Sequence, residues 1–305
     1  MKAILALASG YGLLPAPAIA MPLKGTNCPW MPSSKASDLA EQGETDGWDA
    51  TLYRSLKQFR RPPFDYLKSL IRWKPAMTIL DLGCGPGDWT CEVHQESSAE
   101  STLGVDRSKK MLALAKDCSA PGLSFICQSI EEFWPEQKYD LIMSVAAFMW
   151  VKNHASLLRR FSAALNSGGQ IALDLVENSN NPYYKLANDL FKEERYIPYW
   201  PAAIIASGDI VPEDEYALLL EQLGFTRQYV QTVVHPYYLE SWNEVLDFVH
   251  ATAFVFFKKS FPKAVFERFE KEYDKRFWRY VRQNQRRFSQ PFFTSKRTYI
   301  WGQKP

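Results

Sequence analysis

Residues 79–90 read Ile79-Leu80-Asp81-Leu82-Gly83-Cys84-Gly85-Pro86-Gly87-Asp88-Trp89-Thr90. A short apolar run contains an acid, passes through three alternate glycines and continues into a predicted helix. Glycine suits positions where the backbone turns sharply or approaches a ligand, because it has no Cβ. A strand, a glycine loop and a helix in this order place free amides and the positive helix end beside a ligand. The stretch therefore predicts a ligand-binding crevice at the end of a strand.

The glycine spacing separates two interpretations of this crevice. Dinucleotide-binding enzymes carry the pattern G-x-G-x-x-G. In this chain the glycines stand at positions 83, 85 and 87, which gives G-x-G-x-G. The spacing therefore disfavours an NAD-dependent enzyme.

Four further strand-like runs follow the loop, at residues 102–106, 123–127, 139–145 and 170–176. The first of them ends at Asp106, where a carboxylate can accept both hydroxyls of a ribose. Ser108 is predicted to cap the next helix, and a helix at 154–165 is predicted to stop at residues 166–169. Strands that alternate with helices predict a mainly parallel sheet with helices on both faces.

Together these motifs resemble the class I S-adenosylmethionine-dependent methyltransferases. The likeness is carried by residues 81–88, 104–108 with Met111-Leu112, 139–144 and 150–154. Within that superfamily the chain is most similar to the trans-aconitate methyltransferase group, which esterifies small carboxylic acids. Juvenile-hormone acid methyltransferases are related to that group. The likeness extends over residues 46–303, from an entry helix beginning near Trp48-Asp49 to the end of the chain.

The resemblance implies one methyltransferase domain at residues 46–305, after a leader or flexible arm at residues 1–45. Its fold is expected to be α/β, with a doubly wound, mostly parallel, seven-stranded Rossmann-like sheet and an inserted helical lid. The lid is expected at about 178–211 and 241–288. A helix at 212–223, a sixth strand at 225–234 and an antiparallel strand at 298–301 complete the expected domain.

The resemblance also implies S-adenosylmethionine as cofactor. Asp106 is expected to bind the ribose, Asp81 to orient the loop and the cofactor's amino group, and Arg61 to pair with its carboxylate. The full set of expected cofactor-binding residues is Asp81, Gly83, Cys84, Gly85, Gly87, Asp106, Arg107, Met111, Ser129, Ile130 and Arg61. Asp88 either caps the helix after the loop or adds a cofactor contact.

The chain departs from the family pattern at three positions. Ser129 stands where the family usually has the Asp that binds the adenine amino group, so a neutral acceptor replaces a charged one. Val145 stands where the family often has Asn, and Met149 where it often has Gln or His. The last two positions lie near the expected substrate and leave the identity of the acceptor acid open.

The expected reaction needs no general base, because a carboxylate is ionised at neutral pH and a sulfonium methyl group is already electrophilic. The protein has to align the two groups and exclude water. Trp150 is the expected catalytic residue: its indole either orients the carboxylate or is a core aromatic under the lid. Two alternatives stay open, namely an N-methyltransferase acting on another acceptor and a cofactor-binding protein with little turnover.

Composition limits the partners. A net charge of +2 predicts no strong binding of nucleic acid, and the resemblance implies a small anionic carboxylic acid as the substrate. The cation-rich region 258–287 has two interpretations. It is the solvated face of an amphipathic helix, or its cations, or Lys296 and Arg297, attract the anionic substrate.

The cysteines, the histidines and residues 1–20 give expectations about thiol state, metal binding and location. Five cysteines without a C-x-x-C pair predict reduced thiols, and four histidines without ligand spacing predict no metal site. Residues 1–20 have the outline of a secretory signal but are too short and broken to span a membrane. They are either a working export signal or a non-structural leader before a start at Met21 or Met31. The expectation is a cytoplasmic monomer, with export left open.

Overall fold

The computed structural model describes residues 50–178, 180–202, 210–254, 257–258 and 261–305. The expected leader or arm at 1–45 and the Trp48-Asp49 pair lie outside the described residues. The regular elements, in chain order, are α1 (Ala50–Ser55), α2 (Lys57–Leu70), β1 (Thr78–Leu82), α3 (Asp88–Glu96), β2 (Ser101–Asp106), α4 (Lys109–Ala115), β3 (Leu123–Cys127), β4 (Tyr139–Val145), α5 (His154–Ala163), β5 (Leu165–Val176), α6 (Pro182–Phe191), α7 (Glu213–Gln222), β6 (Arg227–Tyr238), α8 (Trp242–Thr252), α9 (Lys263–Asn284) and β7 (Phe292–Gln303). Short 3-10 turns lie at Phe148–Trp150, Ile197–Ala202 and Gln285–Arg287.

The strands form one seven-stranded sheet in the order β3-β2-β1-β4-β5-β7-β6. The first five strands in this order are parallel, while β7 runs antiparallel to both β5 and β6. The central strand β1 is buried over most of its length between β2 and β4, as expected for a parallel sheet covered on both faces. The predicted α/β class and Rossmann-like sheet are confirmed.

Three boundaries differ from the sequence prediction. The predicted helix stop at residues 166–169 is wrong, because β5 already begins at Leu165. Gly168 adopts a φ of 71°, and its N–H donates to the carbonyl of Pro305 at 2.9 Å. Strands β6 and β7 each run for 12 residues, longer than predicted, because they pair with each other along their whole length.

Two hydrophobic clusters fill the space on the faces of the sheet. Phe64 and Leu67 of α2 pack with Trp89 of α3 in one cluster. Leu158 of α5 and Tyr216 of α7 belong to the other. The carboxyl ends of β1, β2, β4 and β5 consequently meet at one edge, where ligands bind in open parallel sheets.

A third cluster joins α6, α8 and α9 to the ends of β6 and β7. We call these three helices the helical layer. In α9 the side chains of Phe269, Tyr273, Phe277 and Val281 are buried, which agrees with the amphipathic interpretation of the cation-rich region. The layer has its own core, so it is packed as a unit beside the sheet.

One cysteine prediction is wrong. Cys91 of α3 and Cys118 form a disulfide with a Cα–Cα distance of 6.1 Å. The pair lies 27 residues apart in the chain, so local spacing gives no sign of it. Cys84 and Cys127 are free thiols, while Cys28 lies outside the described residues. Within the described ranges, no helix is long and apolar enough to cross a membrane.

Candidate functional site

The glycine loop is packed at one glycine and open at the next. The N–H groups of Gly83 and Cys84 both donate to the carbonyl of Val105, at 2.7 and 3.1 Å, which ties the loop to β2. Gly83, Gly85 and Gly87 have φ of 76°, 57° and 76°. A Cβ on Gly83 would overlap the Cβ of Ala147, whereas a Cβ on Gly85 would meet nothing within 4 Å. The open side of the loop is therefore above Gly85.

Asp106, at the end of β2, lies beside this open side. Its Oδ2 accepts from the Gly85 N–H and its Oδ1 from the Ser108 N–H, each at 2.8 Å. Ser108 Oγ in turn accepts from the Met111 N–H at 3.0 Å, so the predicted helix cap is confirmed. An ionised carboxylate accepts about four hydrogen bonds, so Asp106 can hold the loop and a pair of ligand hydroxyls together.

Asp81 is buried below the loop and is only half satisfied. Its Oδ2 accepts from Thr90 Oγ1 at 2.6 Å, while Oδ1 has no hydrogen-bond partner among the described residues. Burial raises the pKa of Asp81 to about 7, against the hydrogen bond from Thr90 and with a smaller contribution from the nearby charge of Asp106. A cationic group placed beside Oδ1 would favour the ionised form.

Two adjacent arginines on α2 have different surroundings. Arg61 lies at the surface, where its guanidinium pairs with Asp65 and Glu92 at 2.8 Å each. Arg60 is only 7% exposed and stacks over the Tyr53 ring, 3.9 Å from its centroid. The guanidinium of Arg61 is thus already paired with two carboxylates, whereas that of Arg60 is buried beside an aromatic ring.

The remaining expected cofactor residues surround the same loop in different ways. Burial raises the pKa of the Cys84 thiol well above its usual range, helped by the charges of Asp81 and Asp106, so this thiol is unreactive. Met111 and Ile130 are buried, and Arg107 is exposed. Ser129 Oγ accepts from the Glu132 N–H at 3.2 Å.

The end of β4 forms the other wall. Ser144 Oγ donates to the Leu82 carbonyl at 2.7 Å, and Ala146 adopts a φ of 53°. The backbone N–H of Trp150 donates to the Ala147 carbonyl at 3.0 Å. The half-buried indole of Trp150 packs against the cluster that contains Met149. Val145, Met149 and Trp150 give this wall a largely apolar character.

The Asn-Pro-Tyr-Tyr segment at 181–184 has a structural explanation. Asn181 Oδ1 accepts from the Tyr183 N–H at 3.0 Å and caps α6, with Pro182 in the first turn. N-methyltransferases often carry a similar motif, Asn/Asp-Pro-Pro-Tyr, directly after the fourth strand. In this chain the segment follows β5 and not β4, so its position does not favour the N-methyltransferase alternative.

Several buried residues near the loop and the end of β4 were missed by the sequence prediction or given no definite role. Arg60 was not identified, because the adjacent Arg61 is also a cation and was chosen instead. Trp89 was given no role. Asp174 and Tyr237 were also missed, and Arg297 was only one of several candidate cations. No short-range pattern groups Asp174, Tyr237 and Arg297, because they come from three different strands.

Comparison with known proteins agrees with this geometry. The family model described as a methyltransferase domain matches residues 79–169. The trans-aconitate 2-methyltransferase of Deinococcus radiodurans is 31% identical over 212 residues, which cover 68% of this chain and 81% of the relative. The enzyme of the same name from Rhodococcus jostii is 29% identical over 68% of this chain and 80% of its own length. A solved mycolic acid cyclopropane synthase complexed with S-adenosylhomocysteine is similar in fold, with a TM-score of 0.50, 16% identity, and 81% and 85% of the two chains covered.

Proposed function

The chain belongs to the class I S-adenosylmethionine-dependent methyltransferases, and we propose that it transfers the methyl group to the carboxylate of a small organic acid. The observation that carries the cofactor part is the open, acid-flanked glycine loop. The acceptor part is supported by the similarity to trans-aconitate 2-methyltransferases and by the apolar wall at the end of β4.

The residues around the loop fit the amino-acid end of S-adenosylmethionine. Among the buried polar atoms that have no hydrogen-bond partner in the part of the chain that the structure describes, four belong to α2, β1 and α3 around the loop: Arg60 Nε, Trp89 Nε1, Asp81 Oδ1 and Asp88 Oδ2. Two are donors suited to a carboxylate and two are acceptors suited to an ammonium group. We assign Arg60 to the carboxylate and Asp81 to the ammonium. Asp106 is assigned to the ribose, with Ser129 and Ile130 beside the adenine.

The two arginines allow a matched test of this assignment. We expect Arg60→Gln to weaken binding of S-adenosylhomocysteine about 10- to 100-fold, because it removes a charged hydrogen-bond donor. Arg61→Gln should change the affinity by less than about threefold, because exposed ion pairs contribute little. Calorimetric titration of both variants measures the difference. Equal losses in the two variants would contradict the assignment.

The acceptor needs alignment and a dry environment more than a proton acceptor. The bound cofactor supplies an electrophilic methyl group, whose bond to sulfur breaks as the carboxylate oxygen bonds to it, with no proton transferred. Val145 and Met149 exclude water from the carboxylate, which keeps it reactive. Trp150 supplies a flat wall and an indole N–H with which to orient it.

We assign the helical layer and the described residues around it, within 178–211 and 241–288, as a lid over the acceptor. Residues 179, 203–209, 255–256 and 259–260 of these ranges lie outside the described part of the chain. The support is the position of α6 and α8 at the ends of β6 and β7, together with their aromatic side chains.

We further propose that the protein acts as a monomer in the cytoplasm, where its cofactor is supplied. The Cys91–Cys118 disulfide is of a kind that is rare in that compartment, so the support for this location is the cofactor supply alone.

Incubation with S-adenosylmethionine and a panel of small carboxylic acids tests the proposal. We expect a base-labile methyl ester of at least one acid, formed together with S-adenosylhomocysteine. Trp150→Phe should lower kcat by about tenfold or more while leaving cofactor affinity within about twofold, because only the acceptor loses a contact. Cofactor binding without methylation of any acid would contradict carboxylate methylation and favour an alternative acceptor or a protein with little turnover.

A further inference from the structure

A buried ion pair lies next to the acceptor wall. Asp174 of β5 is fully buried and Arg297 of β7 is only 4% exposed. Arg297 Nη1 donates to Asp174 Oδ2, and Arg297 Nε donates to Ser295 Oγ at 3.2 Å. A buried ion pair contributes little net stability, because the desolvation of its two charges offsets their attraction. Stability alone therefore does not explain why this pair is present.

The position of the pair links it to the glycine loop. Asp174 lies opposite Val145 in the β4–β5 register, and its carbonyl accepts from the Ala146 N–H at 3.0 Å. The next residue, Ala147, packs against Gly83. A continuous path of adjacent residues thus leads from the cofactor loop to the ion pair at the carboxyl edge of the sheet, where acceptors are expected.

The polar groups of this cluster are incomplete. Asp174 Oδ1 and the hydroxyl of Tyr237, itself 8% exposed, are buried without a hydrogen-bond partner among the described residues. A buried polar group that lacks its hydrogen bond is desolvated without compensation, so a ligand group that completes the bond is favoured. The cluster thus offers an acceptor, Asp174 Oδ1, and a phenol that can donate or accept.

The charge of the cluster selects the kind of group that completes it. Asp174 cancels the charge of Arg297, so the site holds no excess positive charge for a second anion. Burial raises the pKa of Tyr237 to about 12, with Arg297 opposing and Asp174 adding to the effect, so its hydroxyl stays protonated. One alcohol satisfies both unpartnered atoms, because it can donate to Asp174 Oδ1 and accept from the Tyr237 hydroxyl.

We propose that Asp174, Arg297 and Tyr237 form a subsite for a hydroxyl group on the acceptor, which makes the preferred substrate a hydroxy acid. This inference rests on the proposed carboxylate methylation. In it the hydroxyl donates to Asp174 Oδ1 and accepts from Tyr237. The ion pair with Arg297 holds the Asp174 carboxylate in place, and the second polar contact fixes the orientation of the acid against Trp150.

Matched acids that differ by one hydroxyl test the subsite. The probes are hexanoate against its 2- to 6-hydroxy derivatives, succinate against malate, and tricarballylate against citrate. For the wild type we expect kcat/KM to favour at least one hydroxy acid over its counterpart by about 100-fold, since a site built for a hydroxyl rejects the analogue that lacks it. Equal rates within a factor of about three in every pair would overturn the inference.

Tyr237→Phe is the decisive variant, because it removes only an unpartnered hydroxyl. We expect it to fold with wild-type or slightly higher thermal stability and to bind S-adenosylhomocysteine normally. Its preference for the hydroxy acid should fall by about tenfold or more, while the exposed neighbour Tyr238→Phe should keep the wild-type preference.

The two possible failures are distinguishable. An unchanged preference in Tyr237→Phe overturns the subsite while leaving carboxylate methylation intact. Absence of methylation on every acid, with or without a hydroxyl, overturns the proposed function and the subsite with it. Preference for the hydroxyl-free polyacid, lost in Arg297→Gln, would assign the cluster to a second carboxylate instead.

Discussion

Gly85→Val should abolish measurable binding of S-adenosylhomocysteine and leave the fold intact. The added side chain meets no protein atom within 4 Å at its Cβ, so it projects into the space assigned to the cofactor. The φ of 57° at this position disfavours a β-branched residue, which costs about 1–2 kcal/mol of stability. We expect an affinity loss of about 100-fold or more by calorimetry, with a cooperative unfolding transition only a few degrees lower.

Gly83→Ala provides the contrast in the same loop. Its φ of 76° is equally unfavourable, but its Cβ would overlap Ala147. The backbone must shift, so thermal stability should fall more than in Gly85→Val. If Gly85→Val binds S-adenosylhomocysteine within about threefold of the wild type, the open side of the loop is not the cofactor site.

Asp106→Ala should weaken binding of S-adenosylhomocysteine about 100- to 1000-fold. The variant removes the carboxylate assigned to the ribose, and hydrogen bonds to a charged group contribute about 1.5–3 kcal/mol each. It also removes the acceptor for the Gly85 and Ser108 N–H groups, so the loop loses its anchor. Calorimetric titration together with thermal unfolding separates the two contributions.

Two further variants sharpen the result at Asp106. Asp106→Asn keeps the shape and one acceptor, so its affinity should lie between those of Asp106→Ala and the wild type. Asp214→Ala removes an exposed acid at the start of α7 and should have no effect. An Asp106→Ala protein that is folded and binds normally would exclude this residue from the site.

The sequence predicted the sheet well because its signals are local. The run from Ile79 to Thr90 and the strand ending at Asp106 combine apolar periodicity with turn chemistry, and each acts over a few residues. The structure places β1 and β2 side by side in parallel, as that pattern requires. The start of β5 was predicted too late in the chain, because Gly168 was interpreted as part of a helix stop. In the structure its N–H instead donates to the carbonyl of Pro305, far along the chain.

For the site, the sequence draws attention mainly to the glycine loop and the end of β2, where the signals are local. Arg60 and Arg61 are adjacent in a helix, so about 100° of rotation separates their side chains, and it is Arg60 that is buried over the Tyr53 ring. Asp174 and Arg297 are 123 residues apart, and their pairing depends on the antiparallel register of β5 and β7. Contacts of this kind depend on the packing of distant segments, and the pattern of a single sequence does not predict them.

Whether the glycine loop binds the cofactor is decided by titrating the wild-type protein with S-adenosylhomocysteine in a calorimeter. We predict saturable one-to-one binding that is lost in Gly85→Val and weakened in Arg60→Gln. A folded wild-type protein that releases no heat and shows no thermal stabilisation with S-adenosylhomocysteine would contradict the assignment of the loop as the cofactor site.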